Sequence, residues 1–110
     1  MAGRENSLNP GYTIEMIKQP CVYILTNKRN GTLYTGVTSN LSQRIDQHQN
    51  GGSGSFTDRY KLKRLMYVEA CETMEAAILR EKKIKGGSRK KKIVLIEAEN
   101  PLWEDLSQSD

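Results

Sequence analysis

Cys21-Val22-Tyr23-Ile24-Leu25-Thr26, then Asn30-Gly31, then Leu33-Tyr34-Thr35-Gly36-Val37-Thr38 is the stretch on which the fold turns. Both flanking segments are rich in β-branched and aromatic residues, which suits strands. Asn-Gly between them is a hairpin signal, because glycine accepts positive φ freely and asparagine nearly so. In an antiparallel hairpin, the numbers of paired residues have a constant sum. A two-residue turn at Asn30-Gly31 makes that sum odd, and registers shifted by two keep it odd. Every odd sum puts Tyr23 and Tyr34 on one face of the sheet, together with Gly36 and Thr38.

Toward the N-terminus the pattern fades. Residues 1–19 read as a flexible leader, with a turn signal at Asn9-Pro10-Gly11 and no apolar h-region. Toward the C-terminus, Ser39 or Asn40 can cap a helix running to about Gln49, with Gly51-Gly52 behind it. Leu41, Arg44, Ile45 and His48 recur at three- and four-residue spacing and share one face of that helix. Residues 51–60 are rich in glycine and serine and form a loop of functional length. Leu65 to Ala70 reads as a third strand. Thr73 can cap a helix to Lys85, and Ser88 another through Ala98, which Asn100-Pro101 ends. The expected fold is α/β (α+β), in the order β-β-α-β-α-α: a three-stranded antiparallel sheet flanked by helices. The expected ordered domain spans residues 20–106, with a disordered tail over 107–110.

The chain has 110 residues and a net charge of +4. That length allows one modest core. Cys21 and Cys71 form no C-x-x-C pair and read as buried small hydrophobes, so neither a disulfide framework nor structural zinc is expected. The longest aliphatic run, Ile93 to Ile96, is too short to span a membrane. A soluble cytoplasmic monomer is expected.

The positive charge is concentrated. Lys82, Lys83, Lys85, Arg89, Lys90, Lys91 and Lys92 crowd one stretch, and Arg59, Lys61, Lys63 and Arg64 another. Clustered cations suit a phosphate-bearing partner, although solvated helix faces look the same. Several polar residues also occupy positions that a core would fill with apolar ones. Glu81 interrupts the stripe Met74, Ala77, Ile78 and Ile84. It either pairs with Lys85 one turn on or offers a hard oxygen ligand to a divalent cation. His48, the one histidine, excludes a multi-histidine metal site. Arg44 can grip a phosphate with two parallel hydrogen bonds and stabilise charge building on it. A phenol with pKa ~10 is a poor base alone, and Tyr23 and Tyr34 would need help to take up a proton. No Ser-His-Asp set and no Walker-type phosphate loop is apparent. A phenol pair, an arginine, a histidine, a lone glutamate and a basic surface make a kit for phosphodiester hydrolysis.

At these residues the sequence resembles the GIY-YIG nuclease superfamily, in particular its small stand-alone bacterial branch. The first motif stands here as Cys21-Val22-Tyr23 and the second as Tyr34-Thr35-Gly36. Arg44 and His48 match the family's arginine and histidine one turn apart. Arg80-Glu81-Lys82 matches the segment with the metal-binding glutamate. Asn100-Pro101-Leu102-Trp103-Glu104-Asp105-Leu106 resembles the closing motif of this branch. Cys21, Val22 and Thr35 replace the family's glycine and isoleucines, and no appended DNA-recognition domain is visible.

The resemblance implies a metal-dependent endonuclease acting on DNA, with RNA also open, and with structural rather than sequence preference. A role in DNA repair or recombination and a repair-complex protein as partner follow from the same likeness. It implies catalytic roles for Tyr23, Tyr34, Arg44, His48, Glu81 and Asn100, with one Mg2+ or Mn2+ ion at Glu81. Arg59, Lys61, Lys82, Lys83, Lys85, Arg89, Lys90, Lys91 and Lys92 would hold backbone phosphates, which position a substrate without reading its sequence. Two readings from other classes stand beside it: a binding module that keeps the fold without cutting, and an adaptor that reaches a repair complex through protein contacts.

Overall fold

Strand β1 (Cys21–Thr26) lies at the centre of the sheet, between β2 (Leu33–Thr38) and β3 (Arg64–Ala70), antiparallel to both. The computed structural model describes residues 13–51 and 56–108. Every residue of β1 is buried, because the sheet is covered on both faces. That explains why its sequence is continuously apolar rather than alternating. One layer holds Tyr23, Leu25, Leu65 and Val68 against Leu41 and Ile45 of helix α1 (Leu41–Asn50). The other holds Val22, Ile24, Met66 and Tyr67 against Ala77 and Ile84 of α3 and Ile96 of α4. Helix α2 is short (Phe56–Arg59); α3 spans Met74–Lys85 and α4 spans Arg89–Glu99. Among the described residues, no helix is long and apolar enough to cross a membrane.

The hairpin keeps the expected parity with a longer turn. Thr26 pairs with Leu33 and Tyr23 with Gly36, so residues 27–32 form the connection instead of Asn30-Gly31 alone. The Asn27 side chain accepts from Thr32 N, and Gly31 N donates to Lys28 O, which closes the wider turn. Asn30 does take positive φ, at 58°. Arg89, expected to face a phosphate, donates instead to the carbonyls of Asn30 and Gly31 and ties α4 to the hairpin tip.

The caps fall where their side chains allow. Asn40, Thr73 and Ser88 accept from Gln43 N, Ala76 N and Lys91 N respectively. Two boundaries differ from expectation. Ile14 and Ile17, within the expected leader, are buried in the α1-side core around a 3-10 turn (Ile14–Met16). In the expected tail, Ser107 accepts from the Gln49 side chain and donates to Asp105. Residues 1–12 and 109–110, the remainder of leader and tail, lie outside the described residues.

Strand β3 carries a bulge. Ile24 faces Tyr67 and Leu25 faces Leu65, leaving Met66 without a partner across β1. Met66 and Tyr67 therefore both sit in the α3–α4 layer. The Met66 carbonyl accepts from Asn100 Nδ2, and the same amide group donates to Glu104 O while Oδ1 accepts from Glu104 N. Trp103 is buried beside it, its indole N–H on Glu97 at 2.6 Å, and Leu106 N donates to Leu65 O. The closing motif is thus bound onto β3. Asn100→Ala is expected to cost about 1–3 kcal/mol, because it strips a buried carbonyl of its donor. Urea denaturation should show a lower midpoint with an unchanged slope.

Candidate active site

The paired tyrosines meet α1 on one side of the sheet. Leu41 and Ile45 bury into the core, and the three- and four-residue spacing turns Arg44 and His48 toward the same sheet face, where both are half-buried. The ring centroids of Tyr23 and His48 are 5.8 Å apart, those of Tyr34 and His48 5.8 Å, and those of Tyr23 and Tyr34 6.4 Å. Tyr23 Oη lies 3.0 Å from His48 Nε2. Gly36 is the reason the phenol fits. A Cβ there would stand 2.5 Å from the Tyr23 oxygen and 2.6 Å from Cζ.

Burial first, then neighbouring Tyr34, pushes the Tyr23 phenol up to about 12, while a hydrogen bond and the charge from Arg44 pull it partly back. Burial, then the Arg44 charge, holds His48 below the ordinary histidine value. Both shifts favour neutral forms at neutral pH. The Arg44 guanidinium beside the phenol can only donate, so a phenol that accepts from it keeps its own proton for Nε2. The resting cluster pairs a neutral phenol with a neutral imidazole across that 3.0 Å contact.

The sequence reading missed one member. His48 Nδ1 lies 2.9 Å from Thr57 Oγ1. Thr57 is buried and belongs to α2, inside the stretch expected to be loop throughout. Of that stretch, residues 52–55 lie outside the described residues. Its length was the available signal.

Glu81 is elsewhere. It stands between Ala77 and Ile84 on the sheet-facing stripe of α3, in the layer opposite the tyrosines. Its side chain is 15% exposed and Oε2 is 3.0 Å from Lys85 Nζ. Asn100 is not joined to the cluster either, since its amide is spent on Met66 and Glu104 backbone. The expected phosphate-holding cations also divide. Lys85 pairs with Glu81 and Lys92 donates to Gly87 O, closing the end of α3, while Arg89 holds the hairpin tip. Arg59, Lys61, Lys82, Lys83, Lys90 and Lys91 are exposed. Arg59 ends α2, whose Thr57 meets His48, and Lys61 follows it in the chain; the others lie on α3 and α4. Among the described residues, no group of three or more His, Cys, Asp or Glu could hold a metal ion.

Residues 19–93 match the model of the GIY-YIG catalytic domain. The chain belongs to the GIY-YIG family. A UPF0213 protein of Staphylococcus saprophyticus is 39% identical over 75 residues, spanning 68% of this chain and 90% of that protein. UPF0213 proteins of Staphylococcus aureus are 36% identical over 67 residues, 61% of this chain and 82% of theirs. The solution NMR structure of a UPF0213 protein from Bacillus halodurans superposes with a TM-score of 0.50 at 31% identity, covering 78% of this chain and 90% of that one. In GIY-YIG terms, the first and second motifs supply the phenols that converge on His48, and the second motif's glycine, Gly36, is the space that the first motif's phenol occupies. Membership places the chain in a nuclease superfamily that generally uses divalent metal ions.

Proposed function

We propose that this GIY-YIG domain is a metal-assisted endonuclease that hydrolyses phosphodiester bonds in DNA, with structural rather than sequence preference and a role in repair or recombination. The observation that carries the reading is the 3.0 Å contact between the Tyr23 phenol and His48 Nε2 beside Arg44. A phenol near 12 cannot ionise by itself at neutral pH. With His48 behind it, none of its proton need go to solvent. As the attacking water adds to phosphorus, its proton passes to the Tyr23 oxygen and the phenol proton passes to His48 Nε2. Tyr23 ends the relay as a neutral phenol and His48 as an imidazolium, while Arg44 offsets the charge building on the phosphate. The P–O3′ bond breaks with its electron pair on the leaving oxygen.

Glu81 suits a hard divalent cation, which takes one or two carboxylates and keeps several waters. Lys85 is half exposed and free to leave the carboxylate for solvent. A magnesium or manganese ion held there would supply Lewis-acid stabilisation of the leaving oxygen. Arg59 and Lys61, together with the exposed lysines of α3 and α4, supply the backbone-phosphate grip. Asn100 would act at a distance, by holding the closing segment to β3.

The test is a labelled panel of single-stranded, duplex, flapped and branched DNA, plus RNA, incubated with magnesium, manganese or EDTA. Cleavage is expected only with metal, and Glu81→Gln should remove at least about 10²-fold of it. The lost ion pair itself is worth only about 0.3–0.5 kcal/mol, so the variant stays folded. One observation favours a second reading, a binder that no longer cuts: Lys85 already neutralises Glu81. Salt-sensitive DNA binding without cleavage, unchanged by Glu81→Gln, would support it.

A pH profile separates the proton acceptor. The folded-state pKa of His48 lies below 6.5, so the accepting neutral form is fully present above 6.5 and is lost as pH falls through the lowered value. The acid limb of kcat/KM in the free enzyme is therefore expected below pH 6.5. An acid limb at or above 6.5 would remove His48 from the role.

A further inference from the structure

We propose that Thr57 is a positioning residue: its hydroxyl holds His48 Nδ1 and thereby fixes which ring nitrogen is offered to Tyr23. The inference rests on the nuclease reading for its kinetic consequence but on geometry alone for its structural one.

Thr57 Oγ1 is 2.9 Å from Nδ1 and Tyr23 Oη is 3.0 Å from Nε2, so both ring nitrogens are engaged at once. The neighbouring Arg44 guanidinium has no acceptor, so we assign the phenol proton to Nε2, the partner that can take it. A neutral imidazole that accepts at Nε2 must carry its proton at Nδ1 and donate it, here to Thr57. That is the less common tautomer of a free imidazole and needs a partner to hold it. Thr57 is well placed for this. Only 4% of it is exposed, and its carbonyl accepts from the amide of Leu62, a fully buried core residue, at 2.8 Å. The ring also meets Tyr34 edge-on, so it is enclosed by β1, β2, its own helix and α2. The titratable or charged groups facing it are Tyr23, Tyr34 and Arg44, and no carboxylate is among the described contacts of the ring. A hydroxyl thus occupies the position behind the imidazole that a carboxylate fills in a serine-hydrolase triad. It directs the tautomer without adding negative charge, so the imidazole is not made more basic by an anion.

The same segment carries Arg59 and Lys61 at its exposed side. The contact therefore joins the histidine to a segment that carries two exposed cations.

The chain has one histidine, so its ring nitrogens can be observed by 15N NMR without assignment ambiguity. The wild-type protein is expected to show the Nδ1–H tautomer. Thr57→Val, equal in shape but without the acceptor, should shift the ring toward the Nε2–H tautomer. It should lower kcat by about tenfold or more with KM unchanged, as expected when a base is held in the wrong tautomer. Thr57→Ser keeps the hydroxyl and should restore both readouts; amide spectra of all three proteins check the fold. A Thr57→Val protein that keeps the wild-type tautomer would overturn the proposal, and so would a folded Thr57→Ser protein that behaves like the valine variant. If the wild-type protein cuts none of the substrate panel, the nuclease reading fails. The tautomer comparison still decides the role of Thr57.

Discussion

Phenylalanine at Tyr23 is expected to leave the sheet intact and to remove about 10²- to 10⁴-fold of the cleavage rate, the usual contribution of a positioned acid–base group. The ring fills the centre of the α1-side core, and phenylalanine fills it equally well. What disappears is the oxygen 3.0 Å from His48 Nε2. His48 is half-buried, so water can replace the lost donor, and the stability change should stay near 1 kcal/mol. Steady-state cleavage beside a thermal melt reads both quantities. Activity retained within about tenfold would mean that His48 takes the proton from water directly and that the phenol is packing.

Alanine at Gly36 should do similar damage by a different route. The added methyl would stand 2.5 Å from the Tyr23 oxygen, 2.6 Å from Cζ and 3.1 Å from Cε1. Tyr23 has no space to retreat into, since β1 is buried on both faces. Overpacking of this kind costs about 1–3 kcal/mol, which lowers the melting temperature by roughly 4–8 °C per kcal/mol in a domain of this size. Displacing the oxygen by about 1 Å should cost a further 10²-fold in rate. The two effects can be separated. In the Gly36→Ala, Tyr23→Phe double variant the nearest clashing atom is gone, so part of the lost stability should return while activity stays absent. If Gly36→Ala melts and cuts like the wild-type protein, the glycine is not what makes room for the phenol.

These two positions were the most legible part of the site. The pleat has a period of two, so parity alone placed Tyr23, Tyr34 and Gly36 on one face even though the turn proved longer than Asn30-Gly31. Helical spacing likewise placed Arg44 with His48, and the three capping side chains marked the helix starts. Thr57 was not legible. Its contact with His48 depends on how a short helix folds back beside α1, and no local pattern records that. Ile14 and Ile17 were missed for a related reason: two apolar residues in a polar stretch show no periodicity, and only the core they fill reveals them. Charge was the least informative guide. Arg89 and Lys92 look like their neighbours in sequence, yet each is spent on carbonyls of its own chain. For Asn100 the family likeness pointed to the site, whereas its amide serves the backbone of β3 and the closing motif.

The bulge at Met66 has a bearing on how this lineage can change. Because the extra residue has no counterpart on β1, its carbonyl depends on a side chain thirty-four positions away. Deleting one residue from β3 would leave the amide of Asn100 without that acceptor, and losing the amide would leave the bulge without its donor. The two should therefore be inherited or lost together. Among relatives, an insertion in the third strand should track the closing asparagine more faithfully than either tracks the identity of the residues between them.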